Sequence, residues 1–307
     1  MTEDEVRLAF HHNSFQVKVL ESSGMEFQDL FVRIMERAFP DHFEAVRPYG
    51  NQGDWKCDGR MLGCYYQCYA PNELTDRKVI AKINEDFNGC IQKWGNSVRE
   101  WTFVHNSCNG LPPTVRKNID QLRQANPGIA ISEWNRNKLW TILESISYLK
   151  RSEVLGHVPS QNEVSSFTHA ELAVIVSFLA KNQYDDTLID DVLPIEDKIL
   201  KNRLGVHSRK LIMIGVGGAP RVDAYINMHP DSSVGEEIRK TVVAKYSELR
   251  YAHPREPDLV FGAMCAFVAA GSLDAKVQGA ALAVIGYFFS SCDIFEREGG
   301  WISSDTA

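Results

Sequence analysis

The fold is decided by residues 47–71, RPYGNQGDWKCDGRMLGCYYQCYAP. A loop rich in Pro, Gly and Asp, from Arg47 to Gly59, leads into an apolar and aromatic run from Arg60 to Tyr69. Aromatic runs bounded by turn residues are typical of strands. We therefore predict a loop followed by a short buried strand. Side chains alternate along a strand, so Gln67 and Tyr69 are expected on the same face.

Helical and strand patterns alternate on both sides of this stretch. Apolar residues at helical spacing predict helices over residues 24–39, 73–94, 115–126 and 135–149, and apolar or alternating runs predict strands over 100–105 and 128–132. Such alternation is typical of an α/β layer fold. We predict an α/β domain over about residues 20–150.

The composition becomes polar, with Gly and Pro, around residues 150–161, where we place a domain boundary. In the second half of the chain, apolar residues at helical spacing predict an all-α domain over 160–307. Its helices are expected at 168–182, 191–203, 208–215, 235–249, 257–271 and 274–296. Ser166 or Thr168 is suited to cap the first of these. The segment GVGGAPR, residues 215–221, lacks the Gly-Lys-Ser/Thr of a phosphate-binding loop and is interpreted as a turn.

The bulk properties restrict the classes of function. A length of 307 residues suggests about two domains. A net charge of −7 argues against a broad cationic surface for nucleic acid, although a local basic groove stays possible. Seven Cys without a CxxC pair, and a charged beginning without an apolar core, predict a cytoplasmic protein with free thiols. The apolar runs 259–270 and 275–289 are too short for a bilayer and predict two buried helices, so no membrane partner is expected.

Oxygen-bearing side chains flank the predicted strand. Asp54 and Asp58 lie in the loop before it, and Gln67 lies within it. Mg²⁺ takes oxygen ligands, usually one or two carboxylates completed by water and a substrate phosphate. A metal site at Asp58 and Gln67 is one interpretation; the other is that the Asp residues serve turns and Gln67 is a satisfied strand amide.

The runs Gly53-Asp54-x-x-Cys57-Asp58-Gly59 and Tyr66-Gln67-x-Tyr69-Ala70-Pro71, preceded by a helix with Phe27-Gln28, resemble the PD-(D/E)xK superfamily of nucleases. Its Mrr-type branch carries an Asp, a similar spacer and Gln-x-Lys. The resemblance implies a restriction-endonuclease-like fold that cleaves DNA with Mg²⁺ or Mn²⁺. It also implies that Asp58 and Gln67 bind the metal, assisted by an acid of the first helix, Glu26 or Asp29.

One position departs from the family pattern. Tyr69 stands where the family has its catalytic Lys, and a neutral ring is a poor replacement for a point charge. Lys56, two residues before Asp58, is the favoured substitute, and Lys82 on the following helix is the next. The alternative is a domain of the same fold that binds nucleic acid without cleaving it.

The second half carries a resemblance of its own. AALAVIGYFFSSCDIFERE at 280–298, Lys198-Ile199-x-x-Asn202-x-Leu204 and residues 243–249 resemble the C-terminal region of ABC-three-component, Lamassu-like, anti-phage defence proteins. This resemblance implies a nuclease effector that assembles with an SMC-like ABC-type ATPase and a small middle subunit.

Two further groups of residues contain side chains that can bind metals in other proteins. Cys57, Cys64 and Cys68 lack the short Cys pairs of zinc sites and are expected to be buried structural cysteines. His11-His12 lies in a polar stretch and is expected on the solvated surface.

Overall fold

The computed structural model describes residues 2–46, 55–71, 75–107, 110–182, 198–200, 202–291 and 294–295. The chain divides into two compact units. The sheet unit comprises residues 18–156, and the helical unit comprises residues 1–17 together with 157–307. Helix α1, Glu3–Glu21, contains the first division point. Residues 1–17, which the sequence left unassigned, thus group with the second half of the chain.

The sheet unit is a mixed α/β structure, which confirms the predicted α/β class. Its elements are α2 (Gly24–Ala38), β1 (Glu44–Ala45), β2 (Gly59–Met61), β3 (Cys64–Tyr69), α3 (Asp76–Trp94), β4 (Glu100–His105), α4 (Pro113–Ala125), β5 (Ala130–Trp134), α5 (Arg136–Ser145) and α6 (Tyr148–Leu155). The sheet order is β1-β2-β3-β4-β5. Strands β1 to β3 pair antiparallel, whereas β3 to β5 pair parallel.

Each face of the sheet is covered by helices, as the layer fold requires. On one face Tyr66 of β3 packs against Phe31 of α2 and Trp134 of β5. On the other face the core joins β3, β4 and β5 to α3 and α4, and its members include Tyr65, Val79, Ile83, Phe87, Trp101, Phe103, Val115, Ile119 and Ile131. Residues 65, 67 and 69 share the face toward α3 and α4.

Two local predictions in this unit were wrong. The run 60–69 is a hairpin of β2 and β3, because Leu62 and Gly63 turn the chain with φ of 50° and 86°. The single helix predicted over 135–149 is two helices, since Ser147 caps a new one by accepting a hydrogen bond from the backbone N–H of Lys150.

The regular secondary structure of the helical unit is entirely helical within the described ranges. After the first part of α1 these are α7 (Gln161–Ser165), α8 (His169–Lys181), α9 (Val206–Asn227), α10 (Val234–Ala252), α11 (Pro257–Val268) and α12 (Ala275–Ser290). The side chain of Thr168 caps α8 as predicted. Of the helix predicted at 191–203, residues 191–197 and 201 lie outside the described residues.

The segment 215–221 was predicted as a turn and is the middle of α9. Its glycines serve packing: a Cβ on Gly215 would lie 2.2 Å from the carbonyl oxygen of Leu282 on α12. His11, expected on the surface, is fully buried. The two apolar runs form α11 and α12, which are largely buried as expected. No helix in the described part of the chain has the length and apolar character of a membrane span.

Candidate metal site around Asp58 and Gln67

Asp58 directly precedes β2 and is bonded twice to β3. Its backbone N–H donates to the carbonyl oxygen of Tyr66 at 2.8 Å. Its carboxylate oxygen Oδ2 accepts from the backbone N–H of Cys68 at 2.6 Å. The residue is 2% exposed. The carboxylate is therefore held beside the strand that carries Gln67.

Gln67 lies within β3 and is 4% exposed. Its Nε2 lies 3.5 Å from the carbonyl oxygen of Cys68, so Asp58 and Gln67 both contact the backbone of that one residue. Its Oε1 is buried and has no hydrogen-bond partner among the described residues. Leaving a buried acceptor unsatisfied costs about 1–3 kcal/mol, which a bound cation would offset. An Asp carboxylate and a Gln amide oxygen are both ligand types that a hard cation takes.

The other predicted ligands are less well placed. Glu26 and Asp29 on α2 are exposed, although the backbone N–H of Gly24 joins the start of α2 to the end of β3 through the carbonyl oxygen of Ala70, at 2.7 Å. Asp54 lies outside the described residues. Within the described ranges, no three His, Cys, Asp or Glu residues form a metal-binding group. A cation at Asp58 and Gln67 would thus depend on water and substrate for its remaining ligands.

Tyr69, at the position of the family's lysine, belongs to the core. It is half-buried against the α3 and α4 side, and its ring centroid lies 6.1 Å from that of Phe103. The position therefore has an aromatic packing role.

The two substitute lysines meet at a single acid that the sequence analysis missed. Lys82 Nζ lies 2.9 Å from Asp86 Oδ1, and Lys56 Nζ lies 3.5 Å from the same oxygen and 2.5 Å from Glu85 Oε1. The hydrogen bond between Lys56 and Glu85 raises the pKa of the lysine and lowers that of the carboxyl. Burial raises the pKa of Asp86, and the two ammonium groups oppose that rise.

The sequence did contain a signal for Asp86. It lies on the buried stripe of α3, between Ile83 and Phe87, and its side chain is 0% exposed. A charged residue on the apolar stripe of an amphipathic helix is uncommon unless it is paired.

A second polar pair lies at the carboxyl ends of β4 and β5. His105 is 1% exposed, and its Nε2 lies 3.1 Å from Glu133 Oε1. The backbone N–H of Ser107 donates to His105 Nδ1, so Nε2 carries the proton and donates to Glu133. This bond lowers the pKa of Glu133. Both ring nitrogens of His105 are therefore occupied by hydrogen bonds, and neither is available to accept a proton from a substrate.

The cysteines fit the structural interpretation. Cys57 is fully buried, whereas Cys64 and Cys68 are half-buried, and all three are free thiols. Burial raises the pKa of each of these thiols. Neutral buried thiols are poor zinc ligands and poor nucleophiles.

No family model, no curated protein and no solved structure matches this chain. What the protein does is therefore inferred from its own residues and their contacts.

Proposed function

We propose that the protein is a metal-dependent endodeoxyribonuclease in which Asp58 and Gln67 bind Mg²⁺ or Mn²⁺. One observation carries the proposal: the unpartnered, buried Oε1 of Gln67 lies on a side chain that meets Asp58 at the backbone of Cys68. The Asp and Gln are the two residues that the PD-(D/E)xK resemblance assigns to the metal. The restriction-endonuclease-like fold is part of the same proposal.

A divalent cation bound here supplies charge stabilisation at a scissile phosphate and a lowered pKa for its bound water. Asp58 and Gln67 would fix its position, and water and the substrate phosphate would supply its remaining ligands. In this proposal Lys56, or next Lys82, supplies the cation that supports the attacking water. Glu26 or Asp29 at the start of α2, and Asp54, are the acids that assist in this proposal.

The cellular setting is proposed from the second half of the chain. Its resemblance to ABC-three-component, Lamassu-like proteins favours an anti-phage complex with an SMC-like ABC-type ATPase and a small middle subunit. The many buried apolar residues of α11 and α12 are consistent with a stable helical scaffold for such partners.

A second function is favoured by a separate observation. Tyr69 packs in the core, and both substitute lysines are paired with carboxylates of α3. A site without an available lysine suits a subunit that binds nucleic acid, or bridges partners, without cleaving.

The test is cleavage of plasmid DNA with Mg²⁺ or Mn²⁺, alone and with the products of neighbouring genes, together with calorimetric Mn²⁺ titration. Asp58→Asn is compared with Asp41→Asn, which changes an exposed Asp of the same unit. Loss of cleavage and Mn²⁺ binding in Asp58→Asn alone supports the nuclease. Mn²⁺ binding at Asp58 without cleavage under any condition favours the binding subunit. Unchanged cleavage and Mn²⁺ binding in Asp58→Asn would sink the assignment of the site.

A further inference from the structure

The backbone just before Asp58 has an unusual conformation. Trp55 and Lys56 both have positive φ, at 53° and 58°. Residues with side chains adopt this left-handed region rarely, and two in succession rarer still. Such a conformation persists only where surrounding contacts hold it.

Contacts to helix α3 surround this turn. The stem of Lys56 crosses Gly89 so closely that a Cβ there would lie 2.6 Å from Lys56 Cγ. The indole Nε1 of Trp94 donates to the carbonyl oxygen of Trp55 at 3.3 Å, and the two indole rings lie 5.3 Å apart. The turn is thus seated on the α3 surface through both of its residues.

Asp86 lies at the end of the Lys56 side chain. Its carboxylate is 0% exposed, and its Oδ1 lies within ion-pair distance of Lys56 and Lys82. Its Oδ2 is buried without a hydrogen-bond partner among the described residues. A buried carboxylate is unfavourable unless cations compensate it, so Asp86 favours the ammonium groups of Lys82, at 2.9 Å, and of Lys56, at 3.5 Å, while the exposed Glu85 also holds Lys56.

We propose that Asp86 is a positioning residue: through Lys56 it holds the Trp55–Lys56 turn on α3, and thereby keeps Asp58 beside Gln67. In this arrangement Lys56 links the turn to α3. Gly89, which has no side chain, leaves room for the methylene groups of Lys56. We call the contact of Asp86 with Lys56, which holds the Trp55–Lys56 turn on α3, the clamp. Its consequence for metal binding rests on the proposed function of Asp58 and Gln67, whereas the clamp itself does not.

The clamp is tested by hydrogen exchange of peptides covering residues 55–61 in the full chain, with calorimetric Mn²⁺ affinity measured in parallel. Lys56→Met keeps most of the stem and removes the charge, whereas Lys56→Arg keeps the charge. Asp86→Asn is nearly isosteric, and Gly89→Ala displaces the stem. The controls are Lys78→Met, which changes an exposed Lys of α3, and Gly217→Ala, which changes a helical Gly with open space.

We expect Asp86→Asn, Lys56→Met and Gly89→Ala each to speed exchange of this segment about tenfold and to weaken Mn²⁺ binding by a similar factor. Lys56→Arg should keep the exchange rate of the segment and the Mn²⁺ affinity close to those of the wild type. The two control variants should change neither the exchange rate nor the affinity. Unchanged exchange in Asp86→Asn and Lys56→Met overturns the clamp, whatever the metal result. Lost cleavage in Lys56→Met with unchanged exchange and Mn²⁺ affinity also overturns it and assigns Lys56 to the water. If these variants exchange faster but the wild type binds no Mn²⁺, the clamp is supported and the proposed metal function is refuted.

Discussion

Two glycines of α9, two residues apart, are expected to respond to alanine in opposite directions. Gly215 faces α12, and its added Cβ would lie 2.2 Å from the carbonyl oxygen of Leu282 and 2.9 Å from the carbonyl carbon. Gly217 is exposed, and an added Cβ there would meet nothing within 4 Å. The helix and the substitution are the same, so only the packing differs.

The magnitudes follow from two opposing effects. Alanine favours a helix interior over glycine by about 1 kcal/mol, which is the whole expected effect at Gly217. At Gly215 the obstacle is backbone that cannot rotate away, so α9 and α12 must separate by roughly 1 Å and lose dispersion along their contact. Overpacking of this kind costs about 3 kcal/mol. The net expectation is a loss of about 2 kcal/mol for Gly215→Ala and a gain of about 1 kcal/mol for Gly217→Ala.

The assay is urea and thermal unfolding of the full chain, with hydrogen exchange of peptides from α9 and α12 to assign the change to this helix pair. For a unit of this size the expected shifts are about 4–8 °C downward at Gly215 and about 2–4 °C upward at Gly217. If both variants shifted in the same direction by similar amounts, the close crossing of α9 and α12 would be refuted.

Three further outcomes are expected. The pKa of Glu133 is lowered in the folded state by His105, so its stabilising contribution is present above the unfolded pKa and is lost as pH falls through the folded value. Acid titration of the unfolding free energy should therefore be less steep in Glu133→Gln, and an equal slope would contradict this linkage. Thr168→Ala removes the hydrogen bond to the N–H of Ala170 and should cost about 1 kcal/mol in urea unfolding, whereas Thr168→Ser should cost little. Burial raises the pKa of Cys90 and Cys265 to about 12, so iodoacetamide should label both slowly until urea unfolds the chain, and rapid native labelling would argue against their burial.

Periodic apolar residues made most of the elements predictable. Helix α2 and strand β4 agree closely with the predicted 24–39 and 100–105, because α2 buries one regular apolar stripe and β4 is a short apolar run buried within the sheet. The hairpin within 60–69 was missed because Leu62, an apolar residue that resembles its strand neighbours, forms the turn together with a single glycine, Gly63. The sequence shows the residues of that turn but not that a leucine adopts a positive φ in it.

The glycine-rich segment of α9 was misinterpreted for the opposite reason. Gly and Pro usually mark turns, and Pro220 does remove one hydrogen bond from the helix. In α9 the glycines at 215 and 218 instead allow close approach of α12, where added side-chain atoms would collide with Leu282 and Ala283. Local propensity cannot distinguish these two uses, since the contacting residues of the partner helix, Leu282 and Ala283, lie 67 (282 − 215) and 65 (283 − 218) residues further along the chain.

At the candidate site, the sequence was a better guide to which residues are buried or paired than to the residues that they contact. Asp58 and Gln67 were singled out by spacing, and both are buried and meet at Cys68. Lys56 was favoured because it is close to Asp58 in sequence, yet its ammonium group contacts α3, thirty residues further on. A positive φ at Lys56 redirects its side chain away from the direction that an extended strand would give it. Proximity in sequence therefore says little about a side chain beside a left-handed turn, and a buried acid such as Asp86 is the better guide to where a neighbouring lysine will point.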